Sequence, residues 1–208
     1  MPALGLLEFD SIAVGIRAGD AMVKRAPVRD VFAGTVHPGK YLVYVGGDVA
    51  SVEEAVEAGL EAVAGAPGAG ALLDQVLLPD PHPQVVPGLG GARRDPPTLD
   101  AEAVGIVETR TVASIVGVAD RGLKGAEVEL RELRVADHLG GKSYCLFQGS
   151  VADVEAAVEL AVEGLHDPAL LIGEVVIPRI HDDMLGNLSL ASEFAARFRA
   201  HPMLQEGD

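Results

Sequence analysis

Short, nearly unbroken apolar runs alternate with amphipathic stretches along this chain. Ala3 to Phe9 is apolar except for Glu8, the pattern of a strand covered on both faces or nearly so. Ser11 is placed to cap a helix, and Ile12, Ile16, Gly19 and Val23 recur at helical spacing until Pro27 ends it. Val28 to Val36 and Lys40 to Val45 read as two strands around the turn formers His37-Pro38-Gly39. Ser51 is expected to cap a second helix, with Val52, Ala55, Val56, Gly59 and Leu60 as its apolar stripe. Leu72 to Leu78 supplies a final strand. The order β-α-β-β-α-β predicts an α+β domain of the ferredoxin-like, split βαβ kind.

The same pattern then returns. Ala3-Leu4-Gly5-Leu6-Leu7-Glu8 is answered by Ala103-Val104-Gly105-Ile106-Val107-Glu108, and Ala13, Asp20, Lys24, Ala26 and Val28 by Ala113, Asp120, Lys124, Ala126 and Val128. After a small length change the match resumes with Gly39-Lys40 and Gly141-Lys142, and it ends with Pro79 and His82 against Pro178 and His181. The chain's four lysines, Lys24, Lys40, Lys124 and Lys142, form two equivalent pairs, an independent check on the alignment. Thr111 and Asp153 are the expected helix caps of the second copy. The chain therefore divides into a first domain over 1–82, a linker over 83–101, a second domain over 102–182 and a C-terminal segment over 183–208. Pro87-Gly88-Leu89-Gly90-Gly91 and Asp95-Pro96-Pro97 argue against helix or sheet in the linker. In the last segment Leu188, Ala191, Phe194, Ala195 and Phe198 share one helical face, expected to pack on its own subunit.

Composition narrows the function. The 208 residues are 49% hydrophobic, which excludes disorder for most of the chain, but only 4% aromatic, so the cores are aliphatic. A net charge of −15 argues against nucleic acid, which requires a basic face. A single cysteine, Cys145, excludes an internal disulfide and fits a reducing cytoplasm. No secretory leader and no run long enough for a membrane span is read.

The Ala-Leu-Gly-Leu-Leu-Glu strand, Asp20-Ala21-Met22-Val23-Lys24, Pro38-Gly39-Lys40 and Gly47-Asp48-Val49 together resemble the bacterial microcompartment shell domain. Ile177-Pro178-Arg179-Ile180-His181 is similar to that family's terminal signature, and both copies match in order and spacing. Because each copy opens on the Ala-Leu-Gly type of strand, the chain looks like the unpermuted tandem class, similar to the propanediol-compartment type. The resemblance implies a homotrimer, a pseudohexamer of six domains, that tiles into a protein shell with hexameric and pentameric shell proteins. It also implies a central pore for small metabolites, and neither an enzyme nor a membrane protein.

By that resemblance His37, Pro38, Gly39, Leu139, Gly140 and Gly141 line the pore, with Lys40 and Lys142 beside it. Read from residues alone, the same loops are glycine-bearing turns. His37 stands where some relatives carry a cysteine that holds an iron–sulfur cluster, so no cofactor is expected; three symmetry-related His37 rings binding a divalent metal is the lesser alternative to solvated histidines. Lys24, Lys124 and Arg179 are implied at the lateral edge between tiles, with Asp80 departing from the arginine in the first copy. His82, His181, Asp182 and Asp183 lack a positioned nucleophile or third ligand and read as structural; Gly88-Leu89-Gly90-Gly91 lacks the strand and lysine of a phosphate loop. Glu53, Glu54 and Glu57 read as a solvated helix face. The competing reading is a ferredoxin-like trimeric sensor of a small molecule.

Overall fold

A computed structural model describes residues 2–65, 70–91 and 102–189. The first domain runs β1 (Ala3–Phe9), α1 (Ile12–Arg25), β2 (Asp30–Val36), β3 (Lys40–Gly47), α2 (Val49–Ala64) and β4 (Leu72–Leu78). After α3 (Val85–Leu89), the second runs β5 (Ala103–Thr109), α4 (Val112–Gly125), β6 (Glu129–Val135), β7 (Ser143–Gly149), α5 (Val151–Glu163) and β8 (Leu171–Pro178), and α6 (Asp182–Ser189) follows. The sheets have the orders β2-β3-β1-β4 and β6-β7-β5-β8, antiparallel throughout. That is the predicted split βαβ arrangement, made twice. The predicted C-terminal stripe beyond Leu188 lies outside the described residues.

Two helix caps differ from expectation. Asp48 and Ser150 are the N-caps of α2 and α5: their backbones are extended, and their side-chain oxygens accept from the Ser51 and Asp153 amides. Ser51 and Asp153 stand in the first turn instead, since a cap must receive the amide three residues on, and only the earlier residue is placed to do so. Ser11 and Thr111 cap α1 and α4 as predicted, with side-chain oxygens accepting from Val14 and Ser114 amides.

The linker also differs, because Val85–Leu89 is a helix. Pro87 sits in its first turn, where a missing amide forfeits no helical bond. Val85 is fully buried, and a Cβ at Gly88 would stand 3.1 Å from Leu130 Cδ2, so the turn is pressed onto β6 of the second domain. Burial against a preformed sheet edge overrode a composition that reads as loop.

Alternate residues of β1 face opposite sides of its sheet. Ala3, Leu7 and Phe9 join Met22, Val43, Val45 and Val52 under the domain's own helices. Leu4 and Leu6 point the other way and join the second domain's core, with Leu42, Tyr44, Val76 and Leu78 packed around them. Helix α4 thus lies between its own sheet and the outer face of the neighbouring one, and every residue from Thr111 to Asp120 is buried.

The two cores fill similar space differently. Met22 of α1 leans on Gly59, where a Cβ would stand 2.8 Å from Met22 Cγ. At the equivalent of Met22 stands Gly122, and the ring of Phe147, equivalent to Val45, occupies the vacated volume. A Cβ at Gly122 would come within 2.5 Å of Phe147 Cζ. Replacing Gly122→Met, the residue of the first copy, is therefore expected to overpack the second core and lower stability by about 1–3 kcal/mol, read as a lower urea midpoint by circular dichroism.

Candidate functional site

Side chains of both domains meet at the N-terminus of α4. Glu8, the lone charge of β1, is fully buried there. Its Oε1 lies 2.7 Å from Lys40 Nζ, and its Oε2 accepts from the Val112 and Ala113 amides at 2.6 and 3.2 Å. A helix's first amides have no carbonyl partner inside the helix, so a carboxylate from another domain is a fitting acceptor. Burial raises the Glu8 carboxyl above the ordinary range, opposed by Lys40 and the two amides. Lys40 also donates to the Arg110 and Gly141 carbonyls, at 3.1 and 3.2 Å. At the same first turn, Asp74 on β4 accepts from the hydroxyls of Thr111 and Ser114 at 2.5 and 2.6 Å, with His166 Nε2 at 3.3 Å from its other oxygen.

The two turns of the proposed pore are neighbours at this end of the seam. Gly39 adopts φ +111° after a cis His37–Pro38 peptide. Gly140 and Gly141 also have positive φ, and so do Ala136 and His138 earlier in the second turn. Asp137 Oδ1 accepts from the His37 amide at 3.0 Å and lies 3.3 Å from His37 Nδ1, and the rings of His37 and His138 are 5.4 Å apart. The His37 amide, more than its ring, holds the Asp137 carboxyl below its usual range. His37, Pro38, Gly39 and Gly140 are exposed and Leu139 half-buried, but Gly141 is buried, and a Cβ on it would stand 2.7 Å from Pro38 Cδ. Glycine there is required twice over, by φ and by the other loop.

The two lysines expected beside a pore, Lys40 and Lys142, are both matched by acids. Lys40 is 15% exposed on buried Glu8, whereas Lys142, 51% exposed, pairs with Glu108 at 2.6 Å. At the other end of the seam, Lys124 pairs with Asp120 at 2.8 Å and donates to the Asp80 carbonyl, while exposed Lys24 pairs with Asp20 at 2.6 Å. Exposed Arg179 has φ +52°, and its amide donates to the Glu102 carbonyl at 2.8 Å. The structure thus separates the two predicted groups: the turns lie by the N-terminus of α4, whereas Lys124 is in the last turn of α4 and Lys24 in the last turn of α1. His82 and His181 are each bonded through Nδ1 by the amide two residues on, from Gln84 and Asp183, a shared local turn.

Other groups offer little chemistry. Cys145 is buried in β7, and burial pushes its thiol well above the ordinary value, so it supplies no thiolate nucleophile. Among the described residues no cluster of three or more His, Cys, Asp or Glu is placed to hold a metal. A cleft of about 430 Å³ at the seam is lined by Leu6, Phe32, Leu42, Tyr44, Leu89 and Val112 among others, and no charged side chain lines it to orient a substrate.

Sequence reasoning missed Glu8, Asp74, Asp120, Asp137 and His138. Glu8 with Lys40 carried a signal, since Glu108 with Lys142 repeats the pair. Asp137 and His138 sit in the turn that is longer in the second copy, where no equivalent guides the eye.

Against known proteins, the model of the BMC domain matches residues 3–81 and 103–180. The chain is 41% identical over 183 residues to the bacterial microcompartment shell protein PduT of Citrobacter freundii, covering 88% of this chain and 95% of that protein. It is 29% identical over 211 residues to the carboxysome assembly protein CcmO of a Synechocystis strain, covering 97% of this chain and 69% of that one. Among solved structures, a microcompartment protein from Desulfitobacterium hafniense superposes with a TM-score of 0.72 at 40% identity, covering 89% of this chain and 99% of that chain.

The two lysine–glutamate pairs differ in burial, and so they should differ in energy. Lys40→Met leaves buried Glu8 without its cation, held only by the two α4 amides, and is expected to lower stability by about 3 kcal/mol. Lys142→Met, at an exposed pair, is expected to change it by about 0–1 kcal/mol in the monomer. Urea unfolding of both variants under conditions that keep the chain monomeric checks the contrast.

Proposed function

Because this chain belongs to the BMC domain family, with two such domains in tandem, we propose that three copies close into a ring of six domains around a central pore. The chain is a structural shell component and not an enzyme, like the relatives it matches. No described helix is long and apolar enough to cross a membrane.

One observation carries the ring. The domains are repeats, yet equivalent residues differ in exposure along one face. Ile16 of α1 is 54% exposed, whereas Val116 of α4 is fully buried. Ile12 and Val23 are exposed where Val112 and Leu123 are buried, and on the sheets Val175 is exposed where Val76 packs into a core. The outer face of the first sheet is satisfied by α4 of its own chain; the apolar side of α1 and the β8 side of the second sheet's outer face, at Val175, are left over, while Val104 and Leu146 on that face are already buried. A second copy presents α1 to that sheet in the way α4 is presented to the first. Such a face is head-to-tail, and a head-to-tail contact makes a closed ring when its rotation divides the circle. Ile12, Ile16, Val23 and Val175 are 42–54% exposed, so covering each contributes about 1 kcal/mol, and together they favour association.

The turns His37-Pro38-Gly39 and Leu139-Gly140-Gly141 stand side by side at one end of α4. Repetition around the ring brings six turns to the axis, which supports the reading that they line a pore for small metabolites. Lys24, Lys124 and Arg179 lie at the opposite end of the helices, which supports a lateral edge meeting other shell proteins.

Ile16→Asp places a charge in the proposed seam and is expected to give folded monomers where the unaltered chain gives three-chain particles in sedimentation; an unaltered chain that stays monomeric counts against the ring. Lys24→Ala, at a side chain bonded within its own helix, is expected to leave trimers intact while two-dimensional sheets disappear from electron micrographs. Sheets equal to those of the unaltered chain would remove Lys24 from the edge.

A further inference from the structure

The seam inside the chain is a template for the seam between copies, and one carboxylate is left over when the two are compared. Glu8 is fully buried between Lys40 and the first two amides of α4. Its equivalent on β5, Glu108, keeps the matching lysine, with Lys142 Nζ at 2.6 Å, but its side chain is 33% exposed. The helix equivalent to α4 is α1, whose first residues Ile12 and Ala13 are exposed. First-turn amides lack partners within a helix and carry the positive end of its dipole.

We propose that Glu108 of one copy accepts from the Ile12 and Ala13 amides of a second copy, seating α1 on β5 as Glu8 seats α4 on β1. The inference rests on the ring proposed above and names the polar contact that fixes its register. Lys142 holds the carboxylate ready, as Lys40 holds that of Glu8.

A second contact at the far end of the same helix has the same unfinished form. Within the chain, the His82 amide donates to Asp120 Oδ1 at 2.7 Å, and Asp120 also holds Lys124. The equivalents are His181 and Asp20; Asp20 holds Lys24 in the same way but stands exposed. A copy docked by Glu108 at the start of α1 brings Asp20 toward the backbone of His181. With one acceptor contact near each end, a helix of 14 residues cannot slide along the sheet without losing both.

The seam between copies is also poorer in polar contacts than the seam within the chain. Asp74, opposite Glu8 across the β1–β4 ladder, binds the hydroxyls of Thr111 and Ser114. Opposite Glu108 stands Gly173, and the equivalents of Thr111 and Ser114 are Ser11 and Val14. No carboxylate at that position backs Glu108, so Glu108 carries a larger share of the orientation than Glu8 does.

The test compares the unaltered chain with Glu108→Ala and Glu108→Gln, using dilution series in sedimentation velocity and amide exchange at Ile12 and Ala13. Removal of the carboxylate is expected to weaken each seam about tenfold or more, a hydrogen bond to a charged group being at stake. The Ile12 and Ala13 amides are expected to lose the exchange protection they have in the trimer, while Glu108→Gln, which keeps an uncharged acceptor and the side chain's shape, falls between. Should Glu108→Ala fail to fold by circular dichroism, Glu108→Gln decides alone. An unaltered trimer whose variants dissociate and exchange identically overturns the role of Glu108 and leaves the ring standing. An unaltered chain that never forms trimers overturns both.

Discussion

The burial of α4 on both of its long sides is the constraint on which the rest of the structure depends. A helix beside one sheet needs a single apolar stripe, which α1 buries through Gly15, Ala18 and Met22 while Ile12, Ile16 and Val23 stay exposed on its other sides. Helix α4 has a second sheet laid across it, so Val112, Ile115, Val116, Val118 and Ala119 are all fully or almost fully buried. Once that helix is enclosed, its first turn cannot be hydrated, and a carboxylate from the other domain replaces water as the partner of its amides. The Glu8 charge then requires Lys40, and Lys40 in turn reaches the carbonyls of Arg110 and Gly141. The position of the two turns thus follows from how one helix end is satisfied.

The two copies show how a repeated fold tolerates divergence when volume is conserved. Met22 against Gly59 in one core and Gly122 against Phe147 in the other place a large side chain on different elements. Polar contacts diverged less symmetrically. Asp74 reinforces the seam between the two domains, whereas the equivalent position of the second sheet is Gly173, with no side chain to make such contacts.

Charge also takes a different meaning once it is placed. The −15 of the chain excluded a nucleic-acid partner, but Lys40 and Lys142 do not offset that charge at the turns as free cations, because Glu8 and Glu108 already pair with them. The titratable side chains exposed at the turns include His37, His138 and Asp137, the last bonded to His37.

Much of the fold was legible in the sequence because its determinants are local. The strand of Ala3 to Phe9, the caps Ser11 and Thr111, and the order of elements all follow from periodicity and capping, which act over a few residues. The repeat doubled each signal and fixed the number of domains. Local reasoning misplaced the caps of α2 and α5 by three residues and left Val85–Leu89 without a helix, because there the deciding contact is a specific oxygen or a distant sheet edge. Glu8, Asp74 and Asp137 were legible only as charges; their partners lie 104, 37 and 100 residues away along the chain. The sequence by itself determined two domains of known topology, since hydrogen bonding and hydrophobic spacing within each are short-range. The tertiary structure alone decided which apolar side chains are covered within the chain and which stay exposed, because similar patterns in the two domains end in different burial once one chain is folded against itself.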